Sequence, residues 1–132
     1  MNNNDNDNKN DDFEVSFIFS IDELYTLMLS SGEPSEAGKN FINEVLAGAV
    51  QSDLSELPAK KMAYEQDGKI FIEPVIRMLG ASICKAEKID FIDSEDKNGG
   101  VYIISSKWVK VKCERYLKID GCVKLTPLKP DI

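Results

Sequence analysis

Residues 101–128 read VYIISSKWVKVKCERYLKIDGCVKLTPL, and this stretch decides the fold. It contains three runs rich in β-branched and aromatic residues, and a fourth such run precedes it. Only short polar or glycine-containing segments separate consecutive runs, and short connections are typical of antiparallel neighbours. We therefore predict an antiparallel β-meander of about four strands, at residues 89–93, 101–105, 108–119 and 122–128.

The third run alternates in polarity over most of its length. One set of alternate residues is apolar, and the other is mostly charged or aromatic. The apolar set is Val109, Val111, Cys113, Leu117 and Ile119, and the other set is Trp108, Lys110, Lys112, Glu114, Tyr116 and Lys118. Such a sheet packs its apolar face on a core and leaves the other face to water. The alternation predicts that helices cover a single side of the sheet.

Three helices are predicted before the meander. Residues 20–23, Ser-Ile-Asp-Glu, have the pattern of a capping box, and Leu24, Leu27 and Met28 then recur at helical spacing. Two further helices are expected at about residues 34–50 and 74–86, the latter with proline at its first position. The order of elements predicts an α+β fold, with N-terminal helices packed on one face of the C-terminal meander.

Shorter segments complete the predicted organisation. Residues 13–19 are expected to form a short strand or an extended lead-in, and Asp67-Gly68 is expected to form a turn between two apolar runs. Residues 1–12 read MNNNDNDNKNDD, a composition that cannot bury enough apolar surface to offset the entropy of ordering. We predict a disordered tail over residues 1–12 and a single domain over residues 13–132.

The charge distribution bears on the class of partner. The formal net charge is −7, which argues against general binding to nucleic acid because phosphate contacts need clustered Lys and Arg. The charge is uneven, since residues 1–87 carry −9 and residues 88–132 carry +2. The composition of the C-terminal part is therefore compatible with a local basic surface.

The three cysteines and the polar N-terminus indicate the cellular compartment in which the protein resides. Three cysteines without regular spacing do not form a secreted disulfide framework, so we expect buried free thiols in a reducing environment. The chain has no run of 18 apolar residues and no positively charged start of a signal peptide. We predict a cytoplasmic protein that does not span a membrane.

Catalytic patterns are scarce in this sequence. The chain has no histidine, which excludes His-based triads, Cys-His dyads and His-containing metal sites. Asn98-Gly99-Gly100 lies between two predicted strands, where no helix N-terminus can bind a phosphate. Paired carboxylates such as Asp90 and Asp93 fit capping and solubility better than acid–base catalysis. We predict a protein that is not an enzyme and that needs no metal or cofactor.

One aromatic and basic stripe on the polar face of the third run is the candidate partner-binding site. Aromatic side chains beside cations on an exposed sheet face resemble a protein-binding surface. They also suit base stacking in single-stranded nucleic acids. The alternative is an ordinary solvated face on which lysines prevent aggregation. The stripe consists of Trp108, Lys110, Lys112, Tyr116 and Lys118.

Three stretches carry a resemblance to a known family. They are FSIDELYTLML at residues 19–29, DGKIFIEPVIRML at residues 67–79 and GCVKLTPL at residues 121–128. In this order of elements the chain resembles the N-terminal half of the EspG-like chaperones of type VII (ESX) secretion. The resemblance implies a cytosolic protein without cofactors that keeps secretion substrates soluble and delivers them to the export machine. It assigns no binding residue.

The family usually contains two related α/β halves, and only one is visible here. The resemblance therefore implies a single-half relative, completed by dimerisation in one version of this hypothesis. The leading functional prediction is a protein-binding module, specifically a chaperone or targeting factor for a type VII secretion substrate. The alternatives are an immunity protein that occludes a toxin and a nucleic-acid-binding domain.

Overall fold

The computed structural model describes residues 15–92, 100–115 and 121–128. Within these residues the chain forms three helices and seven strands. The helices are α1 (Ile21–Leu29), α2 (Glu36–Val45) and α3 (Pro74–Cys84). The strands are β1 (Phe17–Ser20), β2 (Ala63–Gln66), β3 (Lys69–Ile72), β4 (Lys88–Ile92), β5 (Val101–Ser105), β6 (Lys110–Arg115) and β7 (Cys122–Leu128). The predicted tail at residues 1–12 lies outside the described residues.

The main sheet has the strand order β1-β7-β6-β5-β4, and every neighbouring pair is antiparallel. The four consecutive strands β4 to β7 confirm the predicted meander. The predicted strand count was wrong, however, because the sheet contains five strands. Residues 17–20 pair with β7, with Phe19 opposite Val123, and so become the fifth strand.

A separate two-stranded hairpin, β2 and β3, lies between α2 and α3. Its two loop residues, Asp67 and Gly68, have φ angles of 54° and 77°. Positive φ at both positions is the geometry of a type I′ turn, which suits the twist of a hairpin. The predicted turn is confirmed. Tyr64 and Phe71 stack on the exposed side with ring centroids 5.4 Å apart.

Helix α1 begins with the predicted capping box. The Ser20 hydroxyl accepts a hydrogen bond from the Glu23 backbone N–H at 3.0 Å, and Glu23 Oε1 accepts one from the Ser20 backbone N–H at 2.9 Å. Leu24, Leu27 and Met28 are buried, which confirms the predicted apolar stripe. Two backbone donors at the start of the helix are thus satisfied within the chain itself.

Helices α2 and α3 pack closely on each other. Ser35 caps α2, and its hydroxyl also donates to the Ala86 carbonyl oxygen at 2.7 Å, just beyond the end of α3. A Cβ at Gly38 would collide with the Cys84 carbonyl oxygen, so glycine allows this approach. Helix α2 ends at Val45, five residues before the predicted end, because Gly48 follows with φ of +84°.

The helices cover one face of the main sheet, here called the core face. Strand residues on this face, such as Ile104, Val111 and Leu125, are fully buried and belong to one cluster with residues of all three helices. The opposite side is called the far face. Its apolar strand residues do not belong to that cluster: they are Ile18, Ile92, Val101, Ile103 and Leu128.

Candidate functional site

Strand β6 places its side chains as the alternation predicted. Val111 and Cys113 lie on the core face and are buried. Lys110 and Lys112 lie on the far face, in register with Leu128 and Thr126 of β7. The predicted strand at residues 108–119 begins at Lys110 in the structure. Two predicted binding residues, Tyr116 and Lys118, lie outside the described residues.

Three charged side chains meet on the far face across β6 and β7. Glu114 Oε1 lies 3.9 Å from Lys112 Nζ and 3.7 Å from Lys124 Nζ. All three side chains are about one-third exposed, and Glu114 Oε1 is buried without a hydrogen-bond partner among the described residues. Two ammonium groups thus surround one carboxylate, so this part of the far face carries a net positive charge.

Apolar side chains surround this charged group on the neighbouring strands. Val101 and Ile103 of β5 lie opposite Glu114 and Lys112, and Ile18 of β1 lies opposite Lys124. These three apolar residues are half-buried. The sequence-based prediction missed them as site residues, although their spacing of two within the predicted strands was the signal that would have found them.

Trp108 lies in the turn between β5 and β6, two residues before Lys110, and is 56% exposed. The Ser106 hydroxyl accepts hydrogen bonds from the backbone N–H groups of Trp108 and Val109, both at 3.2 Å. The Ser106 backbone N–H donates to the Val109 carbonyl oxygen at 3.2 Å. These bonds fix the turn backbone, so a large exposed aromatic residue is presented by an ordered turn.

A groove of about 270 Å³ lies on the other side of the sheet, between α2 and the strands β4 and β5. Tyr102 is its central aromatic residue, with ring centroids 6.1 Å from Phe41 and 5.0 Å from Phe91. Burial raises the pKa of Tyr102, and the neighbouring Glu44 carboxylate raises it further. The groove combines residues that are more than 40 positions apart in sequence, so no local pattern indicated it.

The thiols carry little nucleophilic character. Burial raises the pKa of Cys113 to about 12, and burial also raises the pKa values of Cys84 and Cys122. Because the thiolate is the reactive form, these shifts lower the fraction of reactive thiolate at neutral pH. Within residues 15–92, 100–115 and 121–128, no group of three Cys, Asp or Glu side chains is placed to hold a metal ion.

Comparisons with protein-family models, curated proteins and solved structures returned no match. The geometry of the described residues is therefore the basis for a functional proposal. Among those residues, no helix combines the length and the apolar composition that crossing a bilayer requires.

Proposed function

We propose that this chain is a non-catalytic protein-binding module and that the far face is its binding surface. One observation supports the proposal above the others: lysines and partly exposed apolar side chains share a sheet face, and these apolar residues lie outside the core cluster that the helices form. A sheet face with exposed apolar residues and a polar rim is typical of an interaction surface.

The far face favours a particular kind of partner. Ile103, Val101 and Ile18 provide apolar area that loses water on binding, which is the main favourable term in association. Lys112 and Lys124 lie between these apolar side chains, and Lys110 lies beside Leu128. These lysines favour a partner with carboxylates beside an apolar strip. Trp108, an exposed aromatic residue held by an ordered turn, has the properties of a binding hot spot. Binding would be stoichiometric and would need no cofactor.

The specific form of this proposal is a cytoplasmic chaperone or targeting factor for a type VII secretion substrate. The resemblance of residues 19–29, 67–79 and 121–128 to the EspG-like family supports it. An apolar strip on the substrate would be covered by the far face until export, which would keep the substrate soluble. Co-purification with a small helical secreted protein would support this form.

Two alternatives make different predictions. An immunity protein would use the overall charge of −7 to attract a basic toxin, and acidic side chains such as Glu36 and Glu44 lie on α2, away from the far face. A nucleic-acid-binding domain would use the far-face lysines, and its affinity would fall steeply with salt concentration. Partner capture by far-face variants and helix-side variants separates the three hypotheses.

The experiment is quantitative affinity capture from the cytoplasm of the source organism. Trp108→Ala and the double variant Lys110→Glu/Lys112→Glu are each expected to reduce the amount of a stoichiometric protein partner by about tenfold or more, the loss typical of a hot spot. The matched control is Lys39→Glu/Lys69→Glu, which makes the same charge change on α2 and β3. Capture should survive in the control.

Circular dichroism of each variant checks that the fold is intact. Failure to recover any stoichiometric protein would contradict the proposal. Capture lost in the helix-side control but kept in the far-face variants would contradict the assignment of the surface. Oligonucleotide binding that is lost in Lys110→Glu/Lys112→Glu would favour the nucleic-acid hypothesis instead.

A further inference from the structure

The two edges of the main sheet differ in how they are covered. At the β1 edge, Lys60 Nζ donates to the Ile18 carbonyl oxygen at 3.4 Å and forms an ion pair with Glu23 Oε1 at 2.6 Å. The Glu23 side chain is only 6% exposed. The loop that carries Lys60 also places the fully buried Leu57 in the core. Part of this edge is therefore covered by the chain itself.

The β4 edge has no comparable cover among the described residues. Phe91 and Ile92 are each 54% exposed, and the side chains of Lys88 and Asp90 are 68% and 49% exposed. Strand β4 has one sheet neighbour, β5. An edge strand of this kind presents unpaired backbone N–H and C=O groups that can pair with another strand.

We propose that β4 pairs antiparallel with β4 of a second copy of this chain about a two-fold axis. The two five-stranded sheets would then form one continuous sheet of ten strands. In this arrangement Ile89 lies opposite Ile89 of the second copy, and Lys88 lies opposite Asp90 of the second copy. An interface with two-fold symmetry contains the same residues from both copies.

The side-chain pattern of β4 selects this register. Residues opposite each other in a continuous sheet must lie on the same face, so the axis must pass through a residue pair of identical number. An axis at position 88 or 90 places two lysines or two aspartates opposite each other, which is destabilising. An axis at position 91 places Asp90 opposite the apolar Ile92 and forms no pair of opposite charges. An axis at position 89 forms two Lys88–Asp90 pairs instead. Charge complementarity therefore favours a second copy and one register.

The apolar side chains of β4 support the same register. Phe91 of one copy lies diagonally across from Ile89 of the other, a separation of about 7–8 Å that an aromatic ring can bridge. Pairing would remove water from Phe91, which is more exposed than most large apolar residues of the chain. The charged residues oppose pairing with an unrelated strand, and this selectivity limits indiscriminate aggregation.

The expected dimer is weak, because a contact between two short edge strands buries less than the ~1,200 Å² of a standard interface. Sedimentation equilibrium at about 0.5 mM protein is therefore the appropriate measurement, since weak contacts of this size form at high concentration. The wild-type chain should show association toward twice the monomer mass. Lys88→Asp and Asp90→Lys should each remove it, because each places like charges in opposition.

The double variant Lys88→Asp/Asp90→Lys restores opposite charges in the same register and should restore association. Lys69→Asp, on β3, makes the same charge change as Lys88→Asp and should associate like the wild type. A wild type that stays monomeric overturns the proposal. So does a dimer that survives both single variants, or one that the double variant fails to restore.

Discussion

Ile103 and Ile104 are neighbours in β5 and point to opposite faces of the same sheet. Ile104 is fully buried and packs in the cluster formed by the helices and the core face. Ile103 is half-buried on the far face, in register with Lys112 of β6 and Asp90 of β4. Identical side chains, one residue apart, thus have different roles. Ile104 contributes mainly to folding, and Ile103 leaves partly exposed apolar surface, which we propose a partner covers.

The largest effect is expected from truncating the buried member of this pair. Ile104→Ala should lower the free energy of unfolding by about 3–4 kcal/mol, because it removes buried methyl groups and leaves a cavity. Ile103→Ala should cost about 1 kcal/mol, because the side chain is only half-buried and its truncation leaves no closed cavity. Urea unfolding of both variants measures the difference. Equal losses in the free energy of unfolding would mean that other residues cover the far face. This result would contradict the comparison.

A second pair compares the two edges of the sheet. Lys60→Met should cost about 3 kcal/mol, because it leaves the buried Glu23 carboxylate without its cation. Lys88→Met should change stability by no more than about 0.5 kcal/mol, because both members of the Lys88–Asp90 pair are well exposed. Thermal and urea unfolding give both values. A loss of about 3 kcal/mol in Lys88→Met, as large as that expected for Lys60→Met, would show that the β4 edge is covered as well as the β1 edge is.

Much of this fold, a sheet with one face on the core and the other partly exposed, was predictable from the sequence. The signals that define these features each lie within a short segment. The capping box at Ser20 and Glu23 and the type I′ turn at Asp67-Gly68 each depend on a few consecutive residues. The alternation in β6 is likewise complete within one strand, so Lys112 and Cys113 were assigned to the correct faces. The physical cause of each feature is contained in the segment itself.

The features that were not predicted depend on long-range pairing. A short strand or extended lead-in was expected at residues 13–19, but its place in the main sheet was not, because it depends on pairing with β7, about 100 residues later. The groove likewise needs Phe41, Phe91 and Tyr102 to meet through the fold. Helix α2 was predicted too long because the apolar pattern continues past Val45, whereas the positive φ at Gly48 ends the helical path.

The third test leaves the sequence unchanged and labels two cysteines, one on each face of the sheet. Cys113 lies on the core face, and burial raises its pKa to about 12, so the thiol is protonated at pH 8. Cys122 lies on the far face and is half-buried. In the native protein at pH 8, an aromatic disulfide reagent should label Cys122 about 100-fold faster than Cys113, whose thiol needs local opening to react.

Labelling of Cys113 should become as fast as that of Cys122 in 6–8 M urea, roughly the range that unfolds small domains, and this comparison is the internal control. Equal labelling rates in the folded protein would mean that the core face is open to solvent. Slow labelling of both thiols, with Cys122 no faster than Cys113, would mean that the far face is covered near β1.

The central claim is that the far face of the sheet binds a protein partner, and methyl cross-saturation NMR tests it most directly. In the complex with the captured partner, saturating the partner should attenuate the Ile103 methyl signals strongly and leave those of Ile104 unchanged. Attenuation confined to methyl groups of the helices, with Ile103 unaffected, would contradict the claim.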